Sequence, residues 1–490
     1  MAQTEPKDLL ELLERSAGQY PDAPAAMAAQ GSLNYAQLSG AAKKIGLALS
    51  AQTPAPVVAL YLPMSTAFAS AFFGVLYANK AVVPLNMLLG PEELIYILKD
   101  AGADLVITLP DFKEKLEAAK LPARIVAIQE LLAPEAKAAS ALSTRPASDS
   151  VACLLYTSGT TGKPKGVMLT HGNIASNTFQ SVHTMKFVAG DRFLACLPTF
   201  HTLAITATMM APLAAGGSFY CLPKFDPDAV LQATSEQNCT ILIMVPSMYR
   251  LITRRQEKSK LPMKVRMAFS GGEALPGEVR DSFLKVFGLE LLEGFGMTEC
   301  SPVITFNRPD KFKTGSVGLP LVGVQVKIVD PELKSELKSG EIGEIWTRGP
   351  NVMKGYYNKP EETAQVLQPD GWLRTGDMGL IDAEGFLKIT GRLREMIKVG
   401  GEMVFPVEVE GVLLKHPAVH EAGVVGIRDE KRGESVKAFV ALNPGQTVSA
   451  DDLLAHCRNL LPVYKVPRTI EFKPELPKGP TGKVMRRLLK

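Results

Sequence analysis

The chain has 490 residues, with 54 Lys or Arg, 50 Asp or Glu, and 46% apolar residues. This length predicts two or more domains with a large buried core, and the ordinary apolar fraction excludes a disordered polymer. A net charge of +4 gives no general reason to expect a nucleic-acid partner. The last twenty residues contain six basic and two acidic side chains, so this segment accounts for the whole positive excess.

The cysteines and the amino-terminal residues predict a cytoplasmic protein. The six cysteines form no CxxC pair and have no zinc-ligand spacing, and they are too sparse for a disulfide framework. The first twenty residues carry acidic side chains where a signal peptide carries basic ones. They predict an ordinary helix with Leu9, Leu12 and Leu13 on one face.

Apolar runs alternate with helical patterns through the first three hundred residues. Clear runs lie at 56–62, 105–108 and 239–245, and each is followed by a helix-like segment. This alternation predicts an α/β fold with largely parallel sheets. The Ala-, Ser- and Pro-rich stretch 133–150 predicts a surface connector.

Residues 193–223 contain no Asp, Glu, Lys or Arg, a length sufficient to cross a bilayer. Pro198, Pro212 and the Gly216-Gly217 pair interrupt any single helix there. We therefore expect buried core or the wall of an apolar pocket, and no transmembrane segment.

The pattern changes after about residue 315. Short apolar segments separated by Gly, Pro and Asp turns predict a small antiparallel β subdomain, with a hairpin turn at 382–385. After Gly391 the chain mixes strand-like runs at 424–427 and 437–442 with helix-like runs at 407–415 and 450–460. A domain boundary is predicted near 392–394.

The strongest chemical signal is the segment YTSGTTGKPKG at 156–166. Its glycines allow backbone N–H groups to approach an anion, and its hydroxyls and lysines add further donors. Pro164 stands where a Walker A loop has Ser or Thr, so this is a different triphosphate loop. The candidate phosphate ligands are Thr157, Ser158, Gly159, Thr160, Thr161, Gly162, Lys163 and Lys165.

This segment resembles the signature loop of the adenylate-forming superfamily, which contains acyl- and aryl-CoA synthetases, peptide-synthetase adenylation domains and firefly-type luciferases. Further motifs of the family follow in order, namely SGGEALP at 270–276, EGFGMTE at 293–299, TGD at 375–377, GRLR at 391–394 and KGPTGK at 478–483. The resemblance covers essentially the whole chain. It implies an α/β protein with a large domain at 1–392, built from two αβαβα-type subdomains and a small distorted β-barrel. A mobile α+β domain at 395–490 follows a hinge near 393–394.

The resemblance also implies a nucleotide site. Phe295 offers an aromatic face for adenine where the family usually has Tyr, and Asp377 accepts the ribose hydroxyls with Arg392 nearby. Thr298 contacts a phosphate, and Glu299 supplies an oxygen ligand for Mg²⁺. The remaining implied nucleotide residues are Gly271, Gly272, Glu273, Gly294 and Gly296.

Lys483 is the residue implied to carry the chemistry. A carboxylate that attacks the α-phosphate of ATP brings negative oxygens together, and a flexible cation that bridges them lowers the barrier. By the same resemblance His201 lies next to the substrate carboxylate. Lys398 and Gly400 lie in a loop that enters the site for the second half-reaction after the small domain rotates. The segment 343–363 is interpreted as structural.

The sequence therefore predicts an AMP-forming ligase that uses ATP, Mg²⁺ and coenzyme A. The residues around Glu299 resemble medium- and long-chain fatty-acid ligases, and no Asp near His201 is available to hold an amino-acid amine. An aryl or short-chain acid–CoA ligase is one alternative. An acyl-AMP ligase that passes the acyl group to a carrier protein is another, although the insertion typical of those acyl-AMP ligases is not visible. A nucleotide- or lipid-binding protein without activity is disfavoured by the intact Lys483, Glu299 and Asp377. Peripheral membrane contact stays open, as does the choice between monomer and homodimer.

Overall fold

The computed structural model describes residues 4–134, 137–142, 144–157, 163–478 and 484–489. The chain divides into two compact units. Unit 1 comprises Met1–Val326 and Thr347–Leu373, and unit 2 comprises Lys327–Trp346 and Arg374–Lys490. The hinge at 393–394 concerns motion between domains and stays a prediction.

The helices share ordinary α-helical geometry. In chain order they are α1 Leu9–Gln19, α2 Tyr35–Gln52, α3 Thr66–Tyr77, α4 Pro91–Ala101, α5 Pro110–Ala118, α6 Ile128–Leu132, α7 His171–Met185, α8 Ala211–Ala214, α9 Pro227–Glu236, α10 Pro246–Ser259, α11 Gly277–Phe287, α12 Pro360–Val366, α13 Pro406–Leu413 and α14 Ala450–Leu460. A π-helical segment spans Leu203–Met210, and 3₁₀ turns span Thr298–Cys300, Leu393–Glu395, Val463–Lys465 and Arg486–Leu488.

The strands are mostly short. In chain order they are β1 Pro24–Ala28, β2 Gly31–Asn34, β3 Val57–Tyr61, β4 Ala81–Pro84, β5 Leu105–Thr108, β6 Arg124–Ala127, β7 Val151–Thr157, β8 Lys165–Thr170, β9 Arg192–Ala195, β10 Ser218–Cys221, β11 Ile241–Met244, β12 Met267–Ser270, β13 Leu291–Gly296, β14 Val303–Phe306, β15 Leu319–Pro320, β16 Gln325–Val329, β17 Gly343–Arg348, β18 Gly355–Tyr356, β19 Leu373–Ile381, β20 Leu387–Arg392, β21 Ile397–Val399, β22 Glu402–Val404, β23 Val419–Asp429, β24 Gly433–Leu442 and β25 Thr469–Phe472.

Local signals explain where helices begin. Asn34 caps α2 because its side chain accepts the Gln37 N–H, while the Gln37 side chain accepts the Asn34 N–H. Helix α4 begins at Pro91, whose fixed φ suits a first helical position, and it ends at Gly102 in the left-handed region. Asn34 and Pro91 therefore define where these helices begin, and Gly102 defines where α4 ends.

Two mainly parallel sheets form the core of unit 1. The nine-stranded sheet has the order β15-β14-β13-β12-β11-β9-β10-β1-β2, and the seven-stranded sheet has the order β18-β8-β7-β4-β3-β5-β6. Antiparallel pairing is found toward their edges, between β1 and β2, β13 and β14, β14 and β15, β7 and β8, and β8 and β18. The central strands are buried throughout, as sheets covered by helices on both faces require.

Unit 2 contains most of a four-stranded sheet with the order β16-β17-β19-β20. A second sheet has the order β22-β21-β24-β23, with β25 added beside β24. Helices α13 and α14 contribute Val409, Leu413, Leu453 and Cys457 to the buried cluster of this second sheet. The result is a small α+β fold.

The structure confirms the predicted α/β class and its small carboxy-terminal α+β part. The predicted runs at 56–62, 105–108 and 239–245 become β3, β5 and β11, and Leu9, Leu12 and Leu13 are buried on α1. The turn at 382–385 joins β19 to β20 as an antiparallel hairpin.

The uncharged stretch 193–223 is divided among β9, the π-helical segment, α8 and β10. Within the described part of the chain, no helix is long and apolar enough to cross a membrane. Most of the stretch is buried, as expected, whereas Pro198, His201 and Pro223 are exposed.

The six cysteines are buried free thiols, and burial raises the pKa of Cys196 to about 12.

Candidate active site

The hairpin of β7 and β8 positions the predicted phosphate ligands. Thr157 and Lys165 lie directly opposite each other in its antiparallel register. The Lys165 ammonium lies 5.3 Å from the Tyr356 ring centre and pairs with Glu362, which lowers the pKa of that carboxyl. The predicted ligands Ser158, Gly159, Thr160, Thr161 and Gly162 lie outside the described residues.

Lys163 is held against a second aromatic ring. Its ammonium lies 5.6 Å from the centre of the Tyr96 ring, and the Tyr96 hydroxyl donates to the Pro164 carbonyl at 3.2 Å. Both lysines of the motif therefore lie over aromatic faces, which attract cations.

Glu299 lies in the 3₁₀ turn that begins at Thr298, and only 9% of its surface is exposed. Its Oε1 accepts the Tyr356 hydroxyl at 2.8 Å. Burial, together with the Glu299 charge, raises the pKa of Tyr356, so the phenol stays protonated and donates. Tyr356 belongs to the segment interpreted from sequence as structural, and the sequence alone carries no signal for this contact.

Among the described residues, no group of three His, Cys, Asp or Glu side chains is arranged to hold a metal ion. Mg²⁺ bound with substrate phosphates commonly uses only one or two carboxylates, with water filling its remaining positions. A single buried carboxylate at Glu299 fits that donor set.

A half-buried carboxyl joins the two predicted adenine segments. Glu293 begins the motif 293–299, and its Oε1 accepts the Leu275 N–H of the motif 270–276 at 3.0 Å. Gly271 is held by its N–H to the Met244 carbonyl at 3.3 Å, and Gly272 has a φ of +83°. Burial raises the pKa of Glu293 to about 7. Glu273 was assigned to the nucleotide site from the sequence, whereas Glu293 was missed. A charged side chain inside the strand β13 was the signal that could have identified Glu293.

We expect Glu293→Gln to change the pH dependence of stability. The folded state keeps a proton on Glu293 up to about pH 7, whereas the unfolded chain releases it near pH 4.5. Holding this proton stabilises the folded state fully below pH 4.5, and the stabilisation is lost as the pH rises through 7. The variant removes that loss, so its stability relative to the wild type should rise between pH 5 and 8 by about 1–3 kcal/mol. Thermal midpoints measured across this range test it, with Glu290→Gln as the control. A pH-independent difference would contradict the assignment.

Close packing explains two glycines of the predicted nucleotide site. A Cβ on Gly294 would lie 2.3 Å from the Phe306 ring, and a Cβ on Gly296 would lie 2.1 Å from the Pro302 carbonyl oxygen. Phe306 and Pro302 therefore leave no room for a Cβ at these two positions. Phe295, between the two glycines, is half-buried.

His201 precedes the π-helical segment. Its ring lies 4.4 Å from the Phe200 ring, centre to centre, and its backbone N–H bonds to the Pro198 carbonyl. His201 retains exposed surface, but the protein around it desolvates the ring and lowers its pKa, so the imidazole is neutral near pH 7. The following residues 204–210 are buried. Among the described residues, no group hydrogen-bonds the buried Thr206 hydroxyl.

In unit 2 the structure brings Asp377 and Arg392 together. They are cross-strand partners of β19 and β20, with Arg392 Nε 3.2 Å from Asp377 Oδ1. Thr375 donates its hydroxyl to the Ile345 carbonyl at 2.7 Å and accepts the Asp377 N–H at 3.1 Å. Thr375 thus anchors the turn, and the Asp377 carboxylate projects beside a guanidinium.

Lys398 lies in β21, and Gly400 lies in the turn that joins β21 to β22. Glu434 accepts the Lys398 N–H at 2.7 Å. The Lys398 ammonium pairs with Glu332, and this pairing raises the pKa of Lys398. Gly400 has a φ of +61° and donates its N–H to the Arg432 carbonyl. Lys483 lies outside the described residues.

Comparison with known proteins places these motifs in a family. A family model for the AMP-binding enzyme matches residues 13–357, and one for the AMP-binding enzyme C-terminal domain matches residues 408–483. A feruloyl-CoA synthase of Amycolatopsis sp is 35% identical over 482 residues, which cover 96% of each chain. A long-chain-fatty-acid–CoA ligase of Bacillus subtilis (strain 168) is 36% identical over 527 residues, which cover 99% of this chain and 94% of the relative.

A solved structure shows the same fold. The o-succinylbenzoate coenzyme A synthetase of Bacillus subtilis, in complex with ATP and magnesium ion, matches with a TM-score of 0.86 and 30% identity, covering 98% of both chains. The family models, the relatives and this fold agree that the chain belongs to the AMP-binding enzyme family, as an AMP-forming acid–CoA ligase.

Proposed function

We propose that this ligase activates a medium- or long-chain fatty acid with ATP and Mg²⁺ and then transfers the acyl group to coenzyme A. The observation that carries the substrate class is the uncharged segment 193–223, which surrounds His201 and supplies buried apolar residues after it. Burying an ionic tail group there would cost several kcal/mol without a partner. An acid with an apolar tail is therefore favoured over one with a second charge.

In the first step, a carboxylate oxygen forms a bond to the α-phosphorus of ATP while the bond to pyrophosphate breaks. We assign Lys483 to bridge the substrate carboxylate and the α-phosphate, because a cation there offsets the repulsion between their oxygens. The neutral His201 adds no charge beside the carboxylate. Lys165 and Lys163, with Thr157 and the neighbouring loop residues 158–162, are assigned to the phosphates.

Glu299 is assigned to hold Mg²⁺, which when bound supplies positive charge to the phosphates. Asp377 and Arg392 are assigned to the ribose, and Phe295, with the backbone of 271–273, to the adenine. Thr298 is assigned to a phosphate. These assignments are supported because each residue stands in a family motif and because none of its contacts described above prevents the assigned role.

In the second step, the thiol of coenzyme A loses its proton and the sulfur attacks the acyl carbon, while the bond to AMP breaks. We propose that rotation of residues 395–490 about 393–394, relative to 1–392, withdraws Lys483 and brings in the loop of Lys398 and Gly400. A carrier protein is the alternative acceptor.

An aryl acid is the second candidate substrate. The similarity to a feruloyl-CoA synthase is consistent with this candidate.

A substrate panel separates the candidates. Pyrophosphate release and thioester formation are measured with octanoate, palmitate, ferulate, benzoate and butyrate, with coenzyme A and an acyl carrier protein as acceptors. We expect octanoate or palmitate to give the highest kcat/KM, with coenzyme A as the acceptor. Activity confined to ferulate and benzoate would replace the fatty-acid proposal with the aryl one.

A further inference from the structure

The segment 351–357 joins two parts of the candidate site that are far apart in sequence. Its Met353 N–H donates to the Glu299 carbonyl at 2.8 Å, and its Tyr357 N–H donates to the Gly166 carbonyl at 2.8 Å. Asn351 further binds the carbonyls of Cys300 and Val303 through its side-chain amide, each at 3.0 Å. One short segment thus holds the turn of Glu299 and the strand of Lys165.

Tyr356 makes the same connection through its side chain. Its hydroxyl donates to Glu299 Oε1 at 2.8 Å, and its ring lies 5.3 Å from the Lys165 ammonium. Its own position is fixed, because β18 pairs with β8 and the Tyr356 N–H donates to the Thr363 hydroxyl at 2.9 Å. The backbone of Tyr356 is therefore fixed between β8 and the Thr363 hydroxyl.

We infer that Tyr356 is a positioning residue for the metal–nucleotide complex, which orients the Glu299 carboxylate toward the metal and keeps Lys165 at the phosphates. This inference rests on the proposed function, in which Glu299 is the metal ligand. The bond from the phenol to one carboxylate oxygen restricts rotation of the carboxylate and so favours one direction for its second oxygen. Outer hydrogen bonds of this kind commonly change metal affinity by about ten- to a hundredfold.

Tyr356→Phe tests the inference, because it keeps the ring beside Lys165 and removes only the hydroxyl. Mn²⁺ replaces Mg²⁺ as a paramagnetic probe, and the loss of the free Mn²⁺ resonance beyond that caused by a non-hydrolysable ATP analogue alone reports its binding to the enzyme. We expect Tyr356→Phe to weaken Mn²⁺ binding by roughly tenfold. Binding of the analogue without metal, followed by calorimetry, should change less than about threefold.

Two further variants make each outcome informative. Tyr357→Phe removes the hydroxyl of the adjacent tyrosine and should leave Mn²⁺ binding within about twofold of the wild type. Glu299→Gln tests the proposed function itself and should weaken Mn²⁺ binding more than Tyr356→Phe does. Normal binding in Tyr356→Phe with weak binding in Glu299→Gln would overturn the role of Tyr356 alone. Normal binding in both variants would overturn the assignment of Glu299 as the metal ligand.

Discussion

Replacing Lys483 with Ala should lower the rate of acyl-adenylate formation by about a hundred- to a thousandfold, the range found when one group stabilising developing charge is removed. The ammonium is expected to act only in the first step, where carboxylate and phosphate oxygens meet. Thioester formation from chemically prepared acyl-AMP should therefore stay within about threefold of the wild type. ATP–pyrophosphate exchange measures the first step, and thioester release measures the second.

Lys473→Ala is the matched control for Lys483→Ala. It removes a cation from the same basic segment, where Lys473 pairs with Glu471 at 3.3 Å, and it should leave both steps nearly unchanged. Equal losses in both variants would show that general positive charge, and not Lys483, supports adenylation. An unchanged exchange rate in Lys483→Ala would show that the catalytic cation lies elsewhere.

Arg486→Met should destabilise unit 2 by about 3–5 kcal/mol, the usual cost of leaving buried charges without their partner. Arg486 binds both oxygens of Glu410, at 2.7 and 2.6 Å, and also pairs with Glu395. The guanidinium has only 15% of its surface exposed, so the remaining carboxylates would stay largely out of water. Chemical denaturation followed by circular dichroism measures the loss.

The exposed neighbour Arg487 supplies the control for this prediction. Arg487→Met should change stability by less than about 0.5 kcal/mol, as surface substitutions usually do. Adding Glu410→Met to Arg486→Met removes one of the uncompensated carboxylates and should recover part of the loss, although Glu410 also accepts the Val424 N–H at 2.8 Å. Equal stability of Arg486→Met and Arg487→Met would mean that the ion pairs contribute nothing net.

Local pattern was sufficient to predict much of the fold. The continuous apolar runs that become β3 and β11 have the composition of buried parallel strands, and the Asp-Gly turn before Phe386 has the chemistry of a hairpin. Asp377 and Arg392 were assigned through the resemblance to the family, and that hairpin brings them together because they stand on its two strands. The contacts that form the hairpin are local in sequence.

The contacts of Tyr356 could not be predicted in this way. Its hydroxyl partner is 57 residues away and its cation is nearly two hundred residues away, and both distances depend on β18 adding to the edge of β8. Glu293 was missed because its bond to Leu275 depends on β12 and β13 lying side by side in the sheet. A motif states which residue types are present, but long-range strand pairing decides which of their atoms meet.

The burial of all six thiols has a practical consequence for observing this enzyme at work. Thiol-directed dyes react through the thiolate, and burial holds the pKa of Cys239 at about 12, so native labelling should be slow. A pair of cysteines introduced on exposed positions, one before residue 392 and one after 395, would then accept a donor and an acceptor fluorophore without prior removal of native cysteines. Energy transfer between the dyes would follow the proposed rotation directly, during single turnovers and in solution.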